Sequence, residues 1–179
     1  MAEPQNGRGI VGLDVASLTI DQVLSIAIQL EQDGIAFYKA ASEKAHSKRL
    51  RDVLNILADD EVEHKLTFQG MAAEMGFGLS GGEHSSRTSR QAMESLIEAG
   101  IFPRPEERDT AIASLHSAAQ ALRFGIKVEK GSVAFYDSAA KASTFQDIRQ
   151  TFDRIADEER EHVRLLTAEL KALKASSMI

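Results

Sequence analysis

The sequence predicts an all-α fold: a four-helix bundle made of two antiparallel helical hairpins, internally duplicated and joined by a long crossover. Three observations predict it. No segment alternates apolar and polar residues as a strand does. Four long stretches place apolar residues at alternating spacings of four and three, which keeps them on one helical face. The second half of the chain repeats the first at a constant offset.

Taken in order, residues 1–16 hold Gly7, Gly9 and Gly12, show no periodicity and read as a tail, leaving 17–179 for the bundle. Thr19, followed three residues later by Gln22, makes a capping box that starts the first helix, which runs to about Ala45. A break at His46 and Ser47 leads into the second helix, which runs to Met75 and stops at Gly76, a suitable C′ glycine. Residues 76–109 are polar and carry Gly78, Gly81, Gly82, Pro103 and Pro105; within them SRQAMESLIEA forms a short amphipathic helix ending at Gly100. Asp109 or Thr110 caps the third long helix, which runs to about Ala142, and Ser143 or Thr144 starts the fourth, which runs to about Lys174. So long a connection as 76–109 is expected where it must travel the length of a bundle to join two hairpins.

Composition narrows the function. A chain of 179 residues with 43% hydrophobic residues and 3 prolines is long enough, and apolar enough, to bury a core. The absence of cysteine rules out disulfides, thiolate metal ligands and cysteine nucleophiles in this sequence, and fits a cytoplasmic protein. The net charge is −6, and the densest basic stretch is only Lys48-Arg49-Leu50-Arg51, so no nucleic-acid surface is expected. No apolar run approaches the ~20 residues of a membrane helix, and the first residues lack the charged start and apolar stretch of a signal peptide.

The helix seams carry the chemistry. The second helix gives Leu50, Leu54, Leu57, Glu61, His64, Phe68, Met71 and Met75, and the fourth gives Ile148, Phe152, Ile155, Glu159, His162 and Leu166. The first gives Leu24, Ala27, Glu31, Gly34, Tyr38 and Ala41, and the third gives Leu122, Gly125, Glu129, Ser132, Tyr136 and Ala139. Each helix thus sets a glutamate on an otherwise apolar or small face, and two add a histidine one turn later. Glutamate is almost never fully buried unless its charge is compensated.

The pairs Glu31/Glu129, Tyr38/Tyr136, Glu61/Glu159 and His64/His162 all stand 98 positions apart, with EQDGIAFY aligned to EKGSVAFY and LADDEVEH to IADEEREH. Glu31 and Glu61 lie about equally far from the turn between their helices, and so do Glu129 and Glu159. At 1.5 Å of rise per residue, about fifteen residues on each side bring both members of a hairpin to one level. Six ligand-type side chains therefore converge. An isolated Glu-x-x-His is usually a solvated helix face; here the pair lies on the apolar seam, recurs in the duplicate and faces a lone seam glutamate on the neighbouring helix. Four carboxylates out of water cannot all stay ionised, and two divalent cations resolve the conflict. Oxygen with imidazole suits Fe, Mn or Zn, and a pair of first-row metals suits O2 or peroxide chemistry.

The order Glu31, Glu61-x-x-His64, Glu129, Glu159-x-x-His162 resembles the ligand set of ferritin-like di-metal carboxylate proteins, and over roughly residues 17–175 the chain resembles the rubrerythrin branch. The resemblance implies a ferritin-like bundle whose six residues bind two irons: Glu31, Glu61 and His64 mainly one, Glu129, Glu159 and His162 mainly the other, with the bridging pair left open. It implies an oxidoreductase that reduces hydrogen peroxide with electrons from an external donor protein, acting as a homodimer. A ferroxidase that handles iron, and a bundle that uses metal only for stability, are the alternatives. Two features depart from the family. Ser132 stands where rubrerythrins carry a further glutamate, which makes the site more symmetric. Without cysteine, no rubredoxin domain is present in this sequence, so the reductant is expected to be a separate protein. Tyr38 and Tyr136, two turns beyond their glutamates, either bond a ligand or relay an electron, or serve as plain core aromatics. Gly34 and Ser132 leave space for a small oxidant or simply permit close packing. Asp60 and Glu158, by likeness to bacterioferritins, are expected to orient the opposite histidine. His46, His84 and His116 fall off the pattern and read as surface residues. The short helix around Met93, Leu96 and Ile97 covers the bundle or makes a dimer contact.

Overall fold

The computed structural model describes residues 15–77, 83–98, 102–104, 106–107, 110 and 117–176. Among these there is no strand, and five α-helices have described bounds: α1 (Ile20–Glu43), α2 (Lys48–Glu74), α3 (Glu83–Glu98), α4 (Ala118–Ala142) and α5 (Gln146–Ser176), preceded by a short 3-10 turn (Val15–Ser17); residues 106, 107 and 110 are also helical. The tail before residue 15 lies outside the described residues.

Local chemistry sets the ends. Gln22 Oε1 accepts from the Thr19 backbone N–H at 2.9 Å, opening α1. The Ser47 side chain accepts from Leu50 N at 3.1 Å and opens α2, while Arg51 donates to the Ala45 carbonyl at 3.0 Å beyond the end of α1. At the end of α2, Gly76 takes φ +75°, and the N–H groups of Gly76 and Phe77 return to the carbonyls of Ala73 and Ala72, at 3.0 and 2.8 Å. That pair of bonds is a Schellman motif, and its left-handed residue favours glycine.

Two long-helix starts differ from the sequence expectation: α5 begins at Gln146, not at Ser143 or Thr144, because Ser143 closes α4 as its C-cap, and α4 begins later. α4 is capped by Ser117, whose backbone is extended and whose side chain accepts from Gln120 N at 3.3 Å. The cap is neither Asp109, which lies outside the described residues, nor Thr110, which is itself helical. Ser117-x-x-Gln120 repeats the Thr19-x-x-Gln22 pattern and satisfies an orphan N–H that Thr110 is too early to reach. α3 begins at Glu83, one and a half turns before the predicted start at Ser89, and Leu96 buries itself against the bundle beside partly buried Met93 and Ile97. The short helix therefore covers this chain's own bundle, packing along α1.

α1 packs along α2 and α4 along α5, the two hairpins; α1 also meets α4, and α2 meets α5. Two apolar layers fill the interior. One joins Leu24 and Ala27 of α1, Phe68 and Ala72 of α2, Phe135 and Ala139 of α4, and Phe152 and Ile155 of α5. The other joins Phe37 and Ala41 of α1, Leu50 and Leu54 of α2, Leu122 of α4 and Leu166 of α5. The start of α1 thus shares a layer with the end of α4, and the end of α2 with the start of α5, so these cross-hairpin neighbours run antiparallel. The chain leaves α2 at one end of the bundle and enters α4 at the other, which is the crossover the sequence predicts. Arg160 grips both oxygens of Asp137 at 2.6 Å, tying α5 to α4, and Arg49 reaches Glu169 at 2.6 Å, tying α2 to α5. No helix among the described residues is long and apolar enough to cross a membrane.

Candidate metal centre

Between the two apolar layers the seams of all four long helices turn polar. Glu31, Glu61, His64, Glu129, Glu159 and His162 are all buried, none more than 3% exposed. They form two overlapping groups, Glu31–Glu61–His64–Glu159 and Glu61–Glu129–Glu159–His162, and within each group one candidate ligand atom per residue lies within 4.8 Å of the rest. Glu61 and Glu159 belong to both groups. The sequence leaves the bridging pair open; in the geometry it is the two glutamates of the Glu-x-x-His pairs that fall in both groups. These come from α2 and α5, which face each other, whereas Glu31 and Glu129 close opposite sides.

Both histidines turn Nδ1 inward and Nε2 outward. His64 Nε2 lies 2.7 Å from Glu158 Oε2, and His162 Nε2 lies 3.3 Å from Asp60 Oδ2. Each outer carboxylate therefore sits on the histidine of the other hairpin. An Nε2–H given to that carboxylate leaves the Nδ1 lone pair facing the interior. The tyrosines cross in the same way: Tyr38 OH donates to Glu129 and Tyr136 OH to Glu31. The two bonds reach the cluster from opposite layers, Tyr38 lying with Leu122 and Tyr136 with Leu24. Gly34 has a packing role: a Cβ there would come within 3.3 Å of Glu61 Cγ and Cδ. His46 is exposed as expected; His116 lies outside the described residues, as does the side chain of His84.

The electrostatics are those of a cluster short of positive charge. Burial, followed by the neighbouring Glu61, lifts the Glu31 carboxyl well above the usual range; burial, followed by Glu159 and Glu61, does the same to Glu129. Glu61 goes the other way: burial opposes its charge, but hydrogen bonds with Glu31, His162 and His64 hold it well below the usual range. Burial also opposes charge on His64 and His162, yet Glu159 and its neighbours win, pushing His64 far up and His162 up to about 10. Burial and the facing glutamates raise both tyrosines. Protons thus stand in for cations. The substitution is incomplete, because His64 Nδ1 and Glu159 Oε1, 3.1 Å apart, are both buried without a hydrogen-bond partner. Buried polar atoms are rarely left so. A donor set of oxygen and imidazole, with unpaired atoms aimed inward, fits a pair of first-row metal ions.

A rubrerythrin family model matches residues 22–170, most of the chain. The chain belongs to the rubrerythrin family. Its match spans all six clustered residues and both tyrosines. A hypothetical protein from Pyrococcus furiosus is similar in structure, with a TM-score of 0.63 at 19% identity over 92% of this chain and 98% of that one, a likeness in fold. No curated protein matches significantly. The rubrerythrin family is di-iron, and the buried Glu/His cluster is placed to hold metal.

Among the functional contacts, the sequence reading missed Arg154, which holds Glu158 Oε1 at 2.9 Å. Its signal was present, because an arginine four residues before a glutamate on a helix is a standard pair.

Proposed function

We propose that this rubrerythrin binds two iron ions through Glu31, Glu61, His64, Glu129, Glu159 and His162, and that it is an oxidoreductase reducing hydrogen peroxide to water with electrons from a separate donor protein. The single observation behind this reading is the pair of overlapping buried groups sharing Glu61 and Glu159, with two polar atoms left unpaired at their centre. With iron bound, the centre supplies two electrons to the O–O bond, and the donor restores them.

The chain's own residues do the rest. Glu61 and Glu159 span the two subsites, and Glu31 and Glu129 close one each. Tyr38 and Tyr136 hold those outer glutamates in place from the opposite hairpin. Glu158 and Asp60 fix the histidine rings so that Nδ1 faces inward. The apolar layers above and below keep bulk water away, so that polar interactions within the cluster are strong. Reduction of one peroxide to two waters also consumes two protons; Glu31 and Glu129, as ligands, would have given theirs up on metal binding.

The test is anaerobic loading with Fe(II), metal analysis, and stopped-flow mixing with hydrogen peroxide. The loaded protein is expected to carry two irons and to be oxidised much faster by peroxide than Glu61→Ala is. Equal rates would sink the enzyme reading. A second reading, iron oxidation for handling or storage, is favoured by Ser132, which leaves the ligand set without the further glutamate of other rubrerythrins. Faster oxidation by O2 than by peroxide, in an assembly large enough in solution mass to hold a mineral core, would favour it.

A further inference from the structure

The duplicated halves place equivalent residues 98 positions apart, so any difference between equivalent positions stands out. The six candidate ligands pair like with like. Their outer partners do not. Glu158 is equivalent to Asp60, and Arg154, one turn before Glu158, is equivalent to Ile56. The longer Glu158 reaches His64 Nε2 at 2.7 Å; the shorter Asp60 stays 3.3 Å from His162 Nε2. Arg154 braces Glu158 at 2.9 Å, whereas Ile56 offers Asp60 no charge and is 55% exposed. Inside the cluster, His162 Nδ1 is engaged with Glu159 Oε2 at 2.9 Å, while His64 Nδ1, 3.1 Å from Glu159 Oε1, makes no hydrogen bond.

We propose that the two metal subsites are unequal: the His64 subsite fills first and more tightly, because Glu158, steadied by Arg154, fixes its histidine from outside. The inference rests on the di-metal reading above. An outer hydrogen-bond partner of a ligating histidine holds the ring and its tautomer, and losing one typically costs about 10–100-fold in affinity. The His162 subsite has the same arrangement in weaker form. Glu158 and Arg154 are positioning residues here; neither belongs to the candidate ligand set. Arg154 contributes the smaller share, about twofold, as exposed pairs four residues apart on a helix do.

The full chain, stripped of metal by chelation, is titrated with Co(II) and followed by calorimetry and by ligand-field absorption. Two steps of one equivalent each are expected, the first at least about tenfold tighter. His162→Ala keeps the tight step and His64→Ala loses it. Glu158→Ala loosens the tight step about 10–100-fold, Arg154→Ile about twofold with recovery in Arg154→Lys, and both leave the second step unchanged. The double variant Ile56→Arg with Asp60→Glu rebuilds the missing brace and draws the second step toward the first. Arg154, Glu158, Ile56 and Asp60 are all partly or well exposed, so these variants keep the test open if a histidine variant fails to fold. Two equal steps in the parent, or a tight step that survives in His64→Ala and vanishes in His162→Ala, overturn the inference alone. Absence of Co(II) binding overturns the metal centre with it.

Discussion

Tyr38→Phe removes one hydroxyl and nothing else. Tyr38 is 0% exposed and Glu129 is 2% exposed, so water has no path to replace the lost donor. The ring stays packed against Phe37 at 5.2 Å, and no cavity larger than an oxygen atom opens. The change therefore isolates the hydrogen bond that crosses from α1 to α4. Losing such a bond costs about 1 kcal/mol, and leaving a buried acceptor unpaired raises the loss to about 1–3 kcal/mol. For a chain of this length each kcal/mol moves Tm by about 2–4 °C, giving an expected drop of about 2–12 °C. The assay is thermal unfolding by circular dichroism with chelator present, so that lost metal cannot imitate lost stability. Tyr136→Phe makes the equivalent change at Glu31 and is expected to fall in the same range. If both variants melt with the parent, the crossed bonds do not stabilise the metal-free bundle, and the account of how the outer glutamates are held is wrong.

Other perturbations separate stability from metal binding. Gly34→Ala gains about 1 kcal/mol of helix propensity but sets a Cβ 3.3 Å from the Glu61 carboxyl; metal-free stability is expected to change by less than about 1 kcal/mol while Co(II) affinity falls, and unchanged affinity would show that Glu61 moves aside freely. Phe152→Ala removes a fully buried ring that packs on Phe68 at 5.3 Å and on Tyr136 at 5.9 Å; urea unfolding is expected to show a loss of about 3–5 kcal/mol, and a loss under about 1 would mean the layer refills. His162 in the metal-free chain is held up to about 10 because Glu159 and Glu61 outweigh burial. A group raised on folding stabilises fully below its unfolded pKa and loses that contribution as pH climbs to its folded one. The metal-free chain is therefore expected to weaken between about pH 6.5 and 10, whereas metal ions, which displace those protons, bind better across the same span. Urea unfolding at pH 7 and 9 with and without Co(II) checks both signs; a metal-free chain stronger at pH 9 contradicts them.

Much of the fold was legible because each seam obeys one period. Leu54, Leu57, Glu61, His64 and Phe68 could only share a face on a helix, and all five are buried. The duplication then fixed the level at which Glu31, Glu61, Glu129 and Glu159 meet. The start of α4 was misplaced because Thr110 and Asp109 are good caps in isolation, and only the neighbouring Gln120 shows why Ser117 is used. The choice of Glu61 and Glu159 as the shared carboxylates was not legible, since it depends on which helices face each other across the hairpins. The crossing of Tyr38 to Glu129 escaped notice for the same reason: a periodic pattern says which residues share a face, and is silent about which neighbour that face meets.

Two identical hairpins related by a rotation axis would be obliged to present identical surroundings to both ions. Carrying the hairpins in one chain removes that obligation. Position 60 can be aspartate while position 158 is glutamate, and position 56 can be isoleucine while 154 is arginine. Joining two copies end to end is what allows a centre with nearly twofold-related ligands to acquire a preferred end.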